Sequence, residues 1–278
     1  MEIVYWGTGA AEGVPAVFCN CALCQKARAL GPKEVRTRAQ MLIDGRLLVD
    51  LGPDTYLHSL QYGTNLMDIR HILVTHSHSD HFYAEDLVFR AEPYGHGGLQ
   101  APATLYGNEK THRILNLVQQ MYSDTDSFGL CTQFRQIEAF RPFVAGAYIV
   151  TPLPADHDVN EACFLFDIFS KRDGKRLLYA NDSFTFLPQT LRYLRGRRFD
   201  LISLDCTMGT KPSASSHMSL PLCAALARRL REQGTADDGT VFVLTHFSHN
   251  CGMLHSELRA AAEKEGFVAA CDGLHLTL

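Results

Sequence analysis

Three imidazoles and a carboxylate fall within six residues in His76-Ser77-His78-Ser79-Asp80-His81, a concentrated set of divalent-metal ligands. In an extended turn alternate side chains point the same way, so His76 and His78 can grip one ion. Asp80 and His81 then turn toward a second position beside it. A polar turn that is His-rich for no chemical reason is the alternative, and it leaves the dense spacing unexplained. Cys19-Asn20-Cys21-Ala22-Leu23-Cys24 is the second concentration. Three thiolates at that spacing suit a tetrahedral structural zinc with one ligand missing, and His249 in His246-Phe247-Ser248-His249 could supply it. A redox Cys-x-x-Cys is the rival reading and a chance cluster of buried cysteines is a third. The remaining six cysteines (Cys131, Cys163, Cys206, Cys223, Cys251 and Cys271) are scattered and read as small core residues.

Short strands ending in polar turns must position these groups. Glu2–Tyr5 starts a strand that stops at Gly7-Thr8-Gly9. Gln40–Asp44 and Arg46–Asp50 read as a hairpin around Gly45, and Ile69–Thr75 is a strand feeding directly into the His-rich turn. Further strands are predicted at Thr104–Tyr106, Ala147–Thr151, Cys163–Phe169, Arg176–Tyr179, Leu201–Leu204 and Thr240–Leu244. Helices are predicted at Asp54–Tyr62, Thr111–Tyr122, Pro188–Leu194, Leu220–Gln233 and His255–Glu265, the fourth with Gly234 at its C′ position. The pattern predicts two sheets with helices outside.

The 278 residues are 46% hydrophobic and 20% charged, enough for a large core, and no linker or repeat divides them, so one domain over 1–278 is expected. Against 30 acidic residues stand 26 Lys and Arg, a net charge of −4, which gives no overall attraction for a nucleic-acid backbone or an anionic membrane. No apolar run reaches the roughly 18 residues of a spanning helix, and MEIVYWGTG lacks the features of a signal peptide. Nine cysteines, an odd number, argue against a disulfide framework, so a reducing cytoplasmic compartment is expected.

The His-x-His-x-Asp-His turn at a strand end resembles the signature of the metallo-β-lactamase superfamily. That resemblance implies an α/β fold, an αββα sandwich of two mixed β-sheets flanked by helices with metals at one edge. It also implies further ligands in a fixed order, and His157, Asp182 and His246 each follow a predicted strand. On this resemblance His76, His78 and His157 hold one divalent ion, Asp80, His81 and His246 hold a second, and Asp182 bridges them. Asp50 matches an early Asp that orients ligands, with a turn-forming Asp ahead of Gly52 as the plain alternative. The order Gly7-Thr8-Gly9, Gly13-Val14-Pro15, CxCxxC, HxHxDH, HxxH resembles the branch of phosphoribosyl 1,2-cyclic phosphate phosphodiesterases associated with the carbon–phosphorus lyase pathway. The first and third motifs are shared with the pyrroloquinoline-quinone biosynthesis protein, whose active-site motif is degenerate. Between His81 and His157 no family motif is matched, and that stretch is expected to shape the substrate pocket.

The phosphodiesterase branch and the transfer-RNA 3′ processing nucleases carry a His in a small polar loop near the scissile phosphate. His217, in the loop Cys206–Ser219, corresponds, and the resemblance makes it the acid that protonates the leaving alkoxide. A histidine merely flanking the following helix is the alternative. Lys211 could lend positive charge or be a solvated loop residue, and His96 in Tyr94-Gly95-His96-Gly97-Gly98 is a candidate pocket residue. The reading is therefore a metal-dependent hydrolase of small phosphodiesters, with catalytic residues Asp80 and His217. It carries two active-site ions (Mn or Zn, with Fe also compatible), a structural zinc, a small phosphodiester as partner and room for a homodimer. Two other enzyme readings are a ribonuclease of the transfer-RNA processing type, which the net charge disfavours, and a thiolester or lactone hydrolase. The non-enzymatic reading is a carrier of a cofactor precursor.

Overall fold

The computed structural model describes residues 1–122, 128–214 and 216–278. Residues 123–127, in the unmatched stretch, and Ser215, in the His217 loop, lie outside the described residues. The strands are β1 (Glu2–Gly7), β2 (Gln40–Ile43), β3 (Leu47–Val49), β4 (His71–Leu73), β5 (Ala103–Gly107), β6 (Thr132–Gln136), β7 (Phe143–Ala145), β8 (Tyr148–Pro154), β9 (Phe164–Ser170), β10 (Arg176–Ala180), β11 (Leu201–Asp205), β12 (Val241–Thr245), β13 (Val268–Ala269) and β14 (Leu274–Thr277). The helices are α1 (Ala22–Leu30), α2 (Thr55–Gln61), α3 (Glu109–Met121), α4 (Phe128–Cys131), α5 (Pro188–Leu194), α6 (Leu220–Glu232) and α7 (His255–Lys264).

Two mixed seven-stranded sheets result, ordered β14-β1-β2-β3-β4-β5-β6 and β13-β12-β11-β10-β9-β8-β7. Alternation along each strand dictates the layering, because successive side chains leave a strand on opposite faces. Leu47, Val49, Leu73, Phe166, Leu177, Tyr179 and Val243 face inward and pack sheet on sheet. Their neighbours Leu48, Ile72 and Val74 face out, against Leu115 and Val118 of α3 and Leu87 of a 3₁₀ segment at Ala84–Arg90. On the second sheet Leu178, Leu204, Phe242 and Leu244 face out, against Leu194 of α5, Leu230 of α6 and Leu258 of α7. A strand buried on both faces reads as an unbroken apolar run, which explains LLV and VFVLT. Each fully buried leucine contributes about 1.5–3 kcal/mol relative to exposure. The architecture is the αββα sandwich.

Asp44 and Gly45 both take positive φ, at 49° and 66°, and turn β2 back into β3. Gly234, at φ +74°, follows the C-cap Gln233 of α6. The expected strand Ile69–Thr75 is shorter, because Thr75 gives its N–H to the Asp50 carboxylate at 2.8 Å rather than to a strand partner. α1 was not expected: Cys21 is its N-cap, accepting the N–H of Cys24, and the thiols sit at a helix start. The strands β6, β7, β13 and β14 were also not expected. They are short or lie toward sheet edges, where half-exposed positions blur the apolar pattern. Five of the six scattered cysteines are buried, but Cys271 is only partly so, a correction to the core assignment. Among the described residues no helix is long and apolar enough to cross a membrane.

Candidate metal centre

Parallel pairing brings the functional residues to one rim. β3 runs with β4, and β10, β11 and β12 run together. β8 is antiparallel to β9, which is antiparallel to β10, so β8 and β10 share a direction. The carboxyl ends of β3 and β4 thus point one way in the first sheet and those of β8, β10, β11 and β12 one way in the second, and the close approach of His78 to His157 and of His81 to Asp182 joins the two at one rim. Asp50 follows β3, the turn His76–His81 follows β4, His157 follows β8, Asp182 follows β10, Asp205 ends β11 and His246 follows β12. Asp50, Asp182 and His246 all take positive φ, at 67°, 48° and 61°. Non-glycine residues reach that region at a cost, so the sharp exits are enforced by packing around the rim. Gly52 is required beside them, since a Cβ there would lie 2.1 Å from the Asp80 carbonyl oxygen.

His76 Nε2 lies 2.9 Å and His157 Nε2 3.3 Å from His78 Nδ1. On the other side His81 Nε2 lies 2.9 Å from Asp80 Oδ2 and 2.8 Å from Asp182 Oδ2. The second oxygen of Asp182, Oδ1, is 3.2 Å from His246 Nε2. The donor atoms of His76, His78 and His157 could hold one ion, and those of Asp80, His81 and His246 another. Asp182 groups with His76 and His81, and also with His246, so it stands between the two sets.

The ring nitrogens that face away from this centre are occupied. His81 Nδ1 meets Asp50 Oδ2 at 2.8 Å, His246 Nδ1 meets Thr207 Oγ1 at 2.8 Å, and His76 Nδ1 meets Thr75 Oγ1 at 3.0 Å. His78 is turned the other way, with Nε2 3.3 Å from Asp158 Oδ2. Such outer partners fix which nitrogen lone pair faces a metal. The inward atoms are left without partners: His81 Nε2, Asp182 Oδ2 and His246 Nε2 are buried and make no hydrogen bond among the described residues. His81 Nε2 and Asp182 Oδ2 are close but poorly aligned, so their proximity satisfies neither. An orphaned buried polar atom costs about 1–3 kcal/mol. Three of them aimed at one space fit a bound cation.

Burial alone would push Asp80 up, but the His81 charge and the nearby His246 ring, with Nε2 3.9 Å from Asp80 Oδ2, outweigh it and hold the carboxyl well below its usual range. Burial, then the His81 charge, drives His76 well below its ordinary value, which keeps it neutral and able to donate a lone pair.

His217 sits over the rim, its ring centroid 5.2 Å from that of His157 and 5.4 Å from that of His246. Its Nδ1 is 2.7 Å from Asp205 Oδ2. Lys211 gives its ammonium to the Asn250 carbonyl and does not join the centre. His96 is strongly exposed, paired loosely with Glu92 at 3.7 Å, and takes no part.

Cys19, Cys21, Cys24 and His249 form a separate group with all donor atoms within 4.8 Å of one another. Zn–S bonds of about 2.3 Å and Zn–N bonds of about 2.0–2.1 Å at tetrahedral angles put S and N about 3.5 Å apart. Cys19 Sγ and Cys21 Sγ lie 3.5 and 3.6 Å from His249 Nδ1. The His249 hydrogen bond, followed by the Cys24 N–H, lowers the exposed Cys21 thiol to about 6, while burial raises Cys24 to about 11. These donors fit a zinc ion. Glu12 faces the other ring nitrogen of His249 at 3.6 Å and accepts the Ser248 hydroxyl.

Sequence reasoning passed over Glu12, Asp158, Glu161, Asp205 and Thr207 as functional residues. Only Asp205, ending a strand like the rim residues, carried any local signal.

A family model described as the beta-lactamase superfamily domain matches residues 45–247, and the chain belongs to that family. It is a metallo-β-lactamase-fold hydrolase that resembles the PhnP family. A solved diphosphatase of the PhnP family superposes with a TM-score of 0.76 at 25% identity, over 100% of this chain and 97% of that one. Zinc-bound PqqB from Methylobacterium extorquens gives 0.72 at 21% identity, with both chains covered completely. The short form of human tRNase Z gives 0.67 at 18% identity, over 100% and 99% of the two chains. The last two share the fold. Among curated proteins, an octanoyltransferase of Porphyromonas gingivalis is 35% identical over 85 residues, which is 29% of this chain and 16% of that protein.

Proposed function

We propose that the chain is a metal-dependent phosphodiesterase of small phosphodiesters, cyclic ribose phosphates among them. The observation that carries this reading is His217 above the His/Asp rim with Asp205 behind it, 2.7 Å from Nδ1. Burial works against a charged ring, but the Asp205 hydrogen bond and charge prevail and raise the pKa to about 9. Below that value His217 is an imidazolium. With Nδ1–H donated to Asp205, Nε2–H is the proton available to a departing alkoxide. Positive charge at the rim would lower the pKa toward neutrality, where a general acid works best.

Divalent cations held by His76, His78 and His157, by Asp80, His81 and His246, and by Asp182 between them would supply Lewis acidity that lowers the pKa of water and neutralises charge on phosphoryl oxygens. Mn, Zn and Fe all suit mixed His and carboxylate ligation, and the thiolate cluster suits zinc. The chain's own residues do the rest. Asp50, Thr75, Thr207 and Asp158 hold the rings at fixed rotation, so no reorientation is needed when charge develops. His217 holds the proton at Nε2, and Asp205 stabilises it until transfer.

Similarity to a PhnP-family diphosphatase across both chains supports phosphorus–oxygen chemistry. A thiolester substrate would gain little from His217, because a thiolate leaves without an acid. The net charge of −4 argues against a large RNA substrate. The test is a panel of cyclic and linear phosphodiesters, with a thiolester and a lactone alongside, after reconstitution with Mn²⁺, Zn²⁺ or Fe²⁺. Hydrolysis of the diesters supports the proposal. Thiolester or lactone hydrolysis without diester hydrolysis overturns it.

A further inference from the structure

A buried carboxylate outside the rim ties its two sheets together. The Glu161 side chain is 1% exposed, on the loop between β8 and β9 that also carries His157. Its Oε2 accepts the Ser77 N–H at 2.9 Å and the Asn108 amide at 2.6 Å. Its Oε1 accepts the Ser77 hydroxyl at 2.7 Å and the Lys110 ammonium at 3.1 Å. Ser77 is the residue between His76 and His78. Three residues before Glu161, Asp158 faces His78 Nε2 at 3.3 Å, and just after it Phe164 gives its N–H to the Thr75 carbonyl at 2.9 Å. One loop of the second sheet thus grips Thr75, Ser77 and His78 of the first sheet while delivering His157 to the same place.

We infer that Glu161 is a positioning residue that sets metal affinity at the His76, His78 and His157 half of the centre, with little influence on the Asp80, His81 and His246 half. The inference rests on the ligand sets proposed above. Its physical basis is the spacing of three nitrogens drawn from two sheets: His157 meets His76 and His78 only if the two loops keep their register, and Glu161 fixes that register at Ser77. The other half is oriented by different partners, Asp50 for His81 and Thr207 for His246. Every group that Glu161 touches is a donor, so only a carboxylate, an acceptor at both oxygens, satisfies all four. Glutamine of the same size must turn its NH₂ toward a donor and lose the grip on one side.

The experiment is a Co²⁺ titration of the full-length protein followed by visible absorption, on wild type, Glu161→Gln and Ser77→Ala. His157→Ala and His246→Ala serve as references for each half. For Glu161→Gln we expect one of the two rim affinities to weaken about 10–100-fold, as removing the partners of metal ligands does elsewhere. The remaining spectrum should match that of His157→Ala. Ser77→Ala, which removes only the hydroxyl contact, should weaken the same half by less and keeps the test open if Glu161→Gln folds poorly. Equal weakening of both halves, or none, overturns the inference while leaving the ligand sets intact. Wild-type protein that binds no Co²⁺ at the rim overturns the ligand sets and this inference together.

Discussion

The thiolate cluster and the His/Asp rim solve opposite problems with similar materials. At the first, three cysteines within six residues and one distant histidine bring four donors within 4.8 Å of one another. Four donors close a tetrahedron and leave no position for a substrate. At the second, donors come from four strand ends of two sheets, three buried atoms of the rim lack partners among the described residues, and His217 hangs over the opening. A site made largely by local chain geometry can close on an ion. A site made by convergent strand ends holds donors in excess and stays open on one side, as catalysis requires.

Breaking the rim should have the largest effect. Asp182→Ala removes the residue standing between the two donor sets, so one rim ion should be lost and diester turnover should fall by several orders of magnitude. Metal analysis and turnover check both, and the thiolate-bound zinc should stay in place. A variant that keeps both rim ions and most of its turnover would remove Asp182 from the bridging position.

The next effect sharpens the difference between holding metal and moving a proton. His217→Ala should slow hydrolysis of a cyclic or alkyl diester about a hundredfold or more, because the leaving oxygen is strongly basic. Bis(p-nitrophenyl) phosphate, whose phenolate leaves readily, should lose far less, and rim metal should be unchanged. Uniform loss on both substrates together with loss of metal would make His217 a ligand. Asp205→Asn provides the pH arm of the same test. His217 acts when protonated, so activity falls as pH rises through its pKa. Without the Asp205 charge that pKa drops, and the alkaline limb of the pH–rate profile should move to lower pH by about one unit or more.

The smallest effect on chemistry should come from the other cluster. Cys21→Ser should cost zinc and several degrees in Tm while the folded fraction keeps its rim metal. Unchanged zinc content and Tm would separate Cys21 from any zinc site.

The contrast also explains what could be read from the amino-acid sequence. Apolar runs that end in a polar residue, such as LLVD, ILVTH and VFVLTH, announce both a strand and the rim position after it, so the sandwich and the converging residues were legible. The partners that steer the rings were not. Glu161 reaches Ser77 across 84 positions through the packing of one sheet on the other, and Asp50 reaches His81 across 31 through the parallel pairing of β3 with β4. Asp50 was legible only through the family pattern, and Glu161, Asp158 and Thr207 were not legible at all. α1 escaped for a different reason: read as a ligand loop, CALCQKARAL conceals that Cys21 caps a helix while its thiol faces His249.

A two-ion rim standing apart from a closed zinc site should release its metals in two separate steps, which elemental analysis by mass spectrometry before and after mild chelation resolves. Thiolates hold zinc through several soft bonds, whereas an open rim of His and carboxylate ligands should exchange its ions more readily. Three ions per chain are expected after reconstitution and a single zinc after chelation, with diester hydrolysis that disappears and returns with the rim ions alone. One ion per chain, or ions that leave together in a single step, would contradict that separation.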